Sequence, residues 1–97
     1  MTEDALNVFK ALSDRTRFEI VLFLIGRKEC SCQELSLQFD LSQPTLSHHF
    51  ARLKEAGVIH VRREGVAHYY RVDRQYLRGI GIDLKKMAVN LKNEAIA

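Results

Sequence analysis

Cys30 and Cys32 are the only cysteines in the chain, and a single serine separates them. Three chemistries fit such a pair. As thiolates, the two sulfurs can ligate a metalloid or a soft metal ion. As a redox pair or persulfide target, they would use a thiol pKa lowered by the start of a helix. As inert side chains, they would simply pack. A disulfide between them would be a poor staple, because the closed loop is tiny and its geometry strained.

A second constellation lies downstream. Ser42, Gln43, Thr45, Ser47, His48 and Arg52 share a stretch whose apolar residues are Leu46, Phe50 and Leu53. At 100° per residue, Phe50 and Leu53 fall at about 40° and −20° from Leu46, so these three define a buried stripe. Gln43, Thr45, Ser47, His48 and Arg52 make up the outward set, with Pro44 and Ala51 also away from the stripe. His49 falls at about −60°, on the flank, where a half-buried histidine packs and hydrogen-bonds locally. An ordinary solvated helix would carry Glu/Lys pairs on its outer face. Small donors and acceptors near a helix N-terminus suit base edges in the major groove instead. The N-terminus itself, with the Ser42 hydroxyl beside it, suits a phosphate. Arg62 and Arg63 would then reach phosphate or the adjacent minor groove.

Charge is distributed accordingly. The net charge is only +3. Residues 52–78, however, hold Arg52, Lys54, Arg62, Arg63, Arg71, Arg74 and Arg78 against Glu55, Glu64 and Asp73. A basic stripe of this kind is either an ordinary solvated surface or the electrostatic footprint of a nucleic-acid binder, and the outward set on the neighbouring helix favours the second. Outside the DNA-reading elements there is no Ser/His/Asp or paired-carboxylate constellation, which argues against an enzyme. A winged fold used only for protein contacts is the rival reading.

The elements that position these residues follow from spacing and caps. Leu6, Phe9 and Leu12 predict a first helix over residues 4–12. Ser13-Asp14 starts a second, with Phe18, Val21, Leu22 and Ile25 on one stripe and Gly26 as its stop. Ser31-Cys-Gln-Glu34 is a capping box that opens a third helix over 32–39, burying Leu35 and Phe39. Ser42 caps a fourth, with Pro44 in its first turn and Gly57 after its end at Ala56. Residues 58–63 and 67–72 predict a β-hairpin with glycine at the tip. Asp73 caps a last helix, in which Leu77, Ile80, Leu84, Met87 and Leu91 step by three and four as an a/d seam. Gly79 and Gly81 weaken its first turns. The 97 residues predict a single domain over 1–97. It is mainly α with a β-hairpin wing, a winged helix-turn-helix in the order ααααββα. No apolar run approaches the length of a membrane span, and the acidic N-terminus reads as no signal peptide. The expected location is the cytoplasm, where thiols stay reduced.

ALSDRTRFEIVLFL, SQPTLSHHFARLKEAGVI and VRREGVAHYYRV, in that order, resemble the ArsR/SmtB family of transcriptional repressors over roughly residues 5–92. The resemblance implies a homodimer that binds an inverted repeat in double-stranded DNA and leaves it on meeting an inducer. It places the dimer interface on the first and last helices. Leu6, Phe9, Leu77, Ile80, Leu84, Met87 and Leu91 are the residues for it, in agreement with the apolar seam. Two-fold symmetry would set the recognition helices about 34 Å apart, one turn of DNA. Arsenic-sensing members carry Cys-x-Cys-x-x-Cys at the start of the third helix. Here Cys30 and Cys32 match and Leu35 stands at the third position. As(III) and Sb(III) prefer three thiolates, so an exogenous thiol or water would complete the shell. The N-terminal arm offers no cysteine. A zinc site on the last helix, as in other members, is not expected, since residues 73–97 contain no histidine. No cofactor is required by this reading.

Overall fold

The computed structural model describes residues 2–87 and Val89. Its helices are α1 (Thr2–Leu12), α2 (Arg15–Ile25), α3 (Cys32–Phe39), α4 (Gln43–Glu55) and α5 (Arg74–Gly79). Three strands, β1 (Cys30–Ser31), β2 (Ile59–Glu64) and β3 (Ala67–Val72), form one antiparallel sheet in the order β1-β3-β2. This is a winged helix-turn-helix with one strand more than the hairpin alone. Cys30 pairs with Tyr70 and Ser31 with Tyr69, while β2 meets β3 from Ile59–Val72 to Glu64–Ala67. Gly65 and Val66 make the two-residue turn, and Gly65 takes φ +61°, as such turns require.

Local chemistry fixes the helix ends. Asp14 caps α2, its carboxylate accepting from the Arg17 N–H at 2.9 Å. The capping box at α3 is complete: the Glu34 N–H donates to Ser31 Oγ at 3.1 Å, and the Glu34 carboxylate accepts from the Ser31 N–H. Asp40, at φ 52°, ends α3 in the left-handed region. Across the turn the Ser36 hydroxyl donates to the Leu41 carbonyl at 2.6 Å. α4 closes with a Schellman motif: Val58 N–H donates to Leu53 C=O and Gly57 N–H to Lys54 C=O, both at 3.0 Å. Gly57 supplies the positive φ, +81°.

The core collects Val8 and Ala11 of α1, Ile20, Val21, Leu24 and Ile25 of α2, Leu35 of α3, and Leu46, Phe50 and Leu53 of α4. Against these lie Cys30, Val58, Ile59, Tyr70 and Val72 of the sheet region. The buried stripe of α4 is the expected one. That of α2 is not: Phe18 and Leu22 are only half-buried, and Ile20 and Leu24 take the fully buried places. Residues 20–25 are apolar all round, so periodicity there does not select a face. Phe39 is likewise half-buried, edge-on to Phe23 with ring centroids 5.5 Å apart.

The last helix departs most from expectation. α5 is six residues long, capped by Asp73, whose carboxylate accepts from the Tyr76 N–H at 2.9 Å. A second Schellman motif ends it, with Ile82 N–H on Leu77 C=O and Gly81 N–H on Arg78 C=O, and Gly81 at φ +88°. Asp83 then caps a fresh helical start at 84–87. The continuous seam is therefore broken. Leu77 and Leu84, 1% and 2% exposed, are spent on the subunit's own core and offer no dimer surface. Ile80 is half-buried, Met87 is exposed, and Leu91 lies outside the described residues. On α1, Leu6 and Phe9 remain about half-exposed, turned away from the Val8–Ala11 core face.

Candidate nucleic-acid interface

α3, the Asp40–Leu41 turn and α4 form the helix-turn-helix. On α4 the side chains of Gln43, Thr45, Ser47, His48 and Arg52 are all exposed; Thr45, His48 and Arg52 lie away from the Leu46–Phe50–Leu53 stripe, and Gln43 and Ser47 lie on its flank. Ser42 is exposed but committed: its hydroxyl accepts from the Thr45 N–H at 3.3 Å and donates to Thr45 Oγ1 at 2.9 Å. The remaining free N–H groups of the first turn are what it leaves for a phosphate. Arg52 is loosely paired with Glu55 at 3.8 Å.

His49 sits on the flank of the core, as its angle predicts, but it does not hydrogen-bond there. Its Nδ1 is buried without a partner among the described residues, with Asp14 Oδ2 3.9 Å away. Burial pulls its pKa below the ordinary histidine value, against the opposing pull of Asp14.

The two wing arginines behave differently. Arg63 is exposed and has no ion-pair partner among the described residues. Arg62 grips Glu29 with two nitrogens, at 2.6 and 3.3 Å, and Glu64 with the third at 2.7 Å. Its guanidinium also lies over the Tyr69 ring, 4.5 Å from the centroid. These bonds hold the Glu29 carboxyl below its usual range and push the Arg62 pKa up. In this arrangement Arg62 straps the residue before β1 across β3 to β2, and its charge is already answered.

The thiols are placed by β1 and the α3 cap. Cys30 is 1% exposed and Cys32 half-buried. Burial pushes both thiols up; at Cys30 the nearby Glu34 and Glu29 add to the rise and Arg27 opposes it. Burial thus works against the lowered thiol pKa that the redox reading would use. Among the described residues no third Cys, His, Asp or Glu joins them in a group able to hold a metal ion.

Comparison with known proteins decides the family. Residues 12–62 match the helix-turn-helix domain family. The arsenical resistance operon repressor of Staphylococcus xylosus is 36% identical over 77 residues, 79% of this chain and 73% of the repressor. The chain belongs to the ArsR family of winged helix-turn-helix transcriptional regulators. An arsenic resistance regulator of Pseudomonas putida, ArsR1, is 38% identical over 78 residues, 80% of this chain and 61% of that protein. The chain therefore spans less than two thirds of that relative's length. The solved structure of HlyU from Vibrio cholerae superposes with a TM-score of 0.77 at 27% identity, covering 99% of this chain and 96% of that one. The ArsR family is one of DNA-binding transcriptional regulators, not an enzyme family.

Within the family frame, sequence reasoning missed two features of the site. Strand β1 is only two residues long and exists through its pairing with β3, so no local periodicity announces it. The Glu29–Arg62 pair joins residues far apart in the chain, and only the register of β1 on β3 could have brought them together.

Proposed function

We propose that this chain is a sequence-specific repressor that binds double-stranded DNA as a homodimer. We further propose that it is released when a thiophilic metalloid or soft metal binds Cys30 and Cys32. The polar outer face of α4 carries the first reading. Gln43, Thr45, Ser47 and His48 offer donors and acceptors beside the basic Arg52 and Arg63, with Glu55, next to Arg52, as the acidic residue on the helix's outer side. Such a face suits base edges, with the arginines on phosphates. The exposed Leu6, Phe9 and Met87 support two-fold pairing, which would match an inverted-repeat operator.

For the thiols, the relatives named as regulators of arsenic resistance and the position of the pair support ligation. Two thiolates per subunit would be supplemented by an exogenous thiol or water. Ligation has to draw Cys30 out of the core, and so to unpair β1 from β3 and disturb the wing. A coupling of about 1–3 kcal/mol between ion and DNA would suffice for release. The full burial of Cys30 also favours a second reading, in which it is only a core residue.

A gel shift with the DNA upstream of the chain's own coding sequence, at two salt concentrations, tests the first reading. Binding should fall steeply with salt as phosphate counterions are displaced. No binding at low salt would sink it. Arg63→Ala should weaken all sequences alike, whereas Gln43→Ala and His48→Ala should relax base preference. Titrating the complex with As(III), Sb(III), Cd(II), Zn(II) and an oxidant, with Cys30→Ser/Cys32→Ser as control, tests the second. Release by As(III) or Cd(II) in the parent alone supports ligation. No release by any of them leaves the packing role.

A further inference from the structure

Between α4 and the wing runs a groove of 210 Å³. Its helix wall is Ser47, Ala51 and Lys54, which recur at helical spacing and end in an ammonium group. Its sheet wall follows the alternation of a β-ladder. Val61 lies opposite Tyr70, and one step outward on the same face Arg63 lies opposite His68. The groove is thus apolar at its inner end and cationic at its mouth, and no carboxylate lines it among the described residues.

Tyr70 makes the inner end more specific. It is 7% exposed, and its ring stacks on Phe50 with centroids 3.8 Å apart. Its hydroxyl donates to and accepts from no described residue, yet it is not among the side-chain atoms sealed from solvent. A hydroxyl with no described protein partner, open to solvent at the edge of an aromatic stack and below a cationic mouth, is free to bond a ligand that displaces its water.

We propose that this groove binds a small aromatic carboxylate. The ring lies along Val61 and the Phe50–Tyr70 stack, and the carboxylate takes the Tyr70 hydroxyl and the charges of Arg63 and Lys54. Pockets for drug-sized ligands begin near roughly 300 Å³, so the occupant is of benzoate size. A bare phosphate would leave the apolar end empty, and a neutral arene would leave the cations unanswered. On the DNA-binding reading above, the ligand occupies Arg63 and abuts Ser47, and so competes with DNA for the same face.

The test begins with the DNA-free chain, so its failure does not touch the DNA-binding reading. Benzoate, benzyl alcohol and inorganic phosphate are titrated separately and followed by amide NMR shifts and calorimetry. Benzoate should saturate, with the largest shifts at Ser47, Lys54, Val61 and Tyr70, and the other two should bind at least about tenfold more weakly. Tyr70→Phe should weaken benzoate by about five- to tenfold, as loss of one ordinary hydrogen bond does. Val61→Phe, which fills the apolar end, should abolish binding. Should that variant fail to unfold cooperatively, Tyr70→Phe alone decides. In a second arm, benzoate should displace DNA from the parent more readily than from Tyr70→Phe. Equal affinity for phosphate and benzoate, shifts centred on Lys28 and Arg71, or unchanged benzoate binding in Tyr70→Phe would each overturn the assignment.

Discussion

Gly57 sets how the wing leaves the recognition helix, and Gly57→Ala should be among the most damaging single-methyl additions in the chain. Its φ of +81° lies where an L-residue pays roughly 1–2 kcal/mol. A Cβ there would also stand 2.8 Å from Cε2 of Tyr76, inside any real contact distance, so the half-buried ring must give way. Together these should cost about 2–3 kcal/mol. For a chain of this size, each kcal/mol lowers Tm by about 4–8 °C, so the expected fall is about 10–20 °C. Thermal unfolding by circular dichroism, at one fixed subunit concentration, measures it. Gly57→Asn separates the two causes. Asparagine tolerates the left-handed region but carries the same Cβ, so recovery of most of the loss assigns it to the backbone. A Gly57→Ala chain that melts within about 2 °C of the parent would refute the reasoning, since it would mean that neither strain nor clash is present.

Four further outcomes follow from the geometry. Ser31→Ala removes the hydroxyl of the capping box and should cost about 1 kcal/mol, read as a Tm shift of about 4–8 °C. His49 has its folded pKa lowered, so the unfolded chain binds more protons; stability is complete above the ordinary value of 6.5 and is lost as pH falls below it. Urea midpoints should show this slope in the parent and lose it in His49→Leu. Glu29→Gln leaves Arg62 with one acidic partner fewer, so more of its charge meets phosphate; the slope of log K against log salt should steepen by up to about 0.9, and an unchanged slope would count against the strap. Because both thiols are pushed above 9.0 and each must lose its proton to ligate Cd(II), affinity should climb with pH through neutrality by up to about a hundredfold per unit.

Caps and stops were the most legible part of the sequence. Asp14, Ser31 with Glu34, Ser42, Gly57 and Asp73 each act within four residues, and each does what its type and position dictate. The polar face of α4 was legible for a related reason: three apolar residues at helical spacing fix the opposite side. What escaped depends on distant chain. The buried face of α2 is chosen by the sheet and α4, not by its own uniformly apolar run. Gly81 could be seen to weaken the last helix, but not to end it, because the closing bonds to Leu77 and Arg78 depend on the left-handed turn that the glycine takes in the folded chain. The direction of the thiol pKa shifts was hidden for the same reason. A helix start is visible in sequence, whereas the burial that overrides it is tertiary.

Cys30 and Tyr70 stand about forty residues apart along the chain, and everything that forms the helix-turn-helix lies between them. In polymer terms, α3, α4 and β2 occupy a loop whose neck is tied by two residue pairs, Cys30–Tyr70 and Ser31–Tyr69. The length-dependent part of closing such a loop is roughly 3 kcal/mol of chain entropy. Most other contacts here are local to helices and hairpin, so this neck is a late event in folding and an early one in fraying. The same loop is also closed by the Glu29–Arg62 pair and by α2 and α3 packed on β3, so a small event at a two-residue strand reaches a segment many times its own length only as those ties loosen with it.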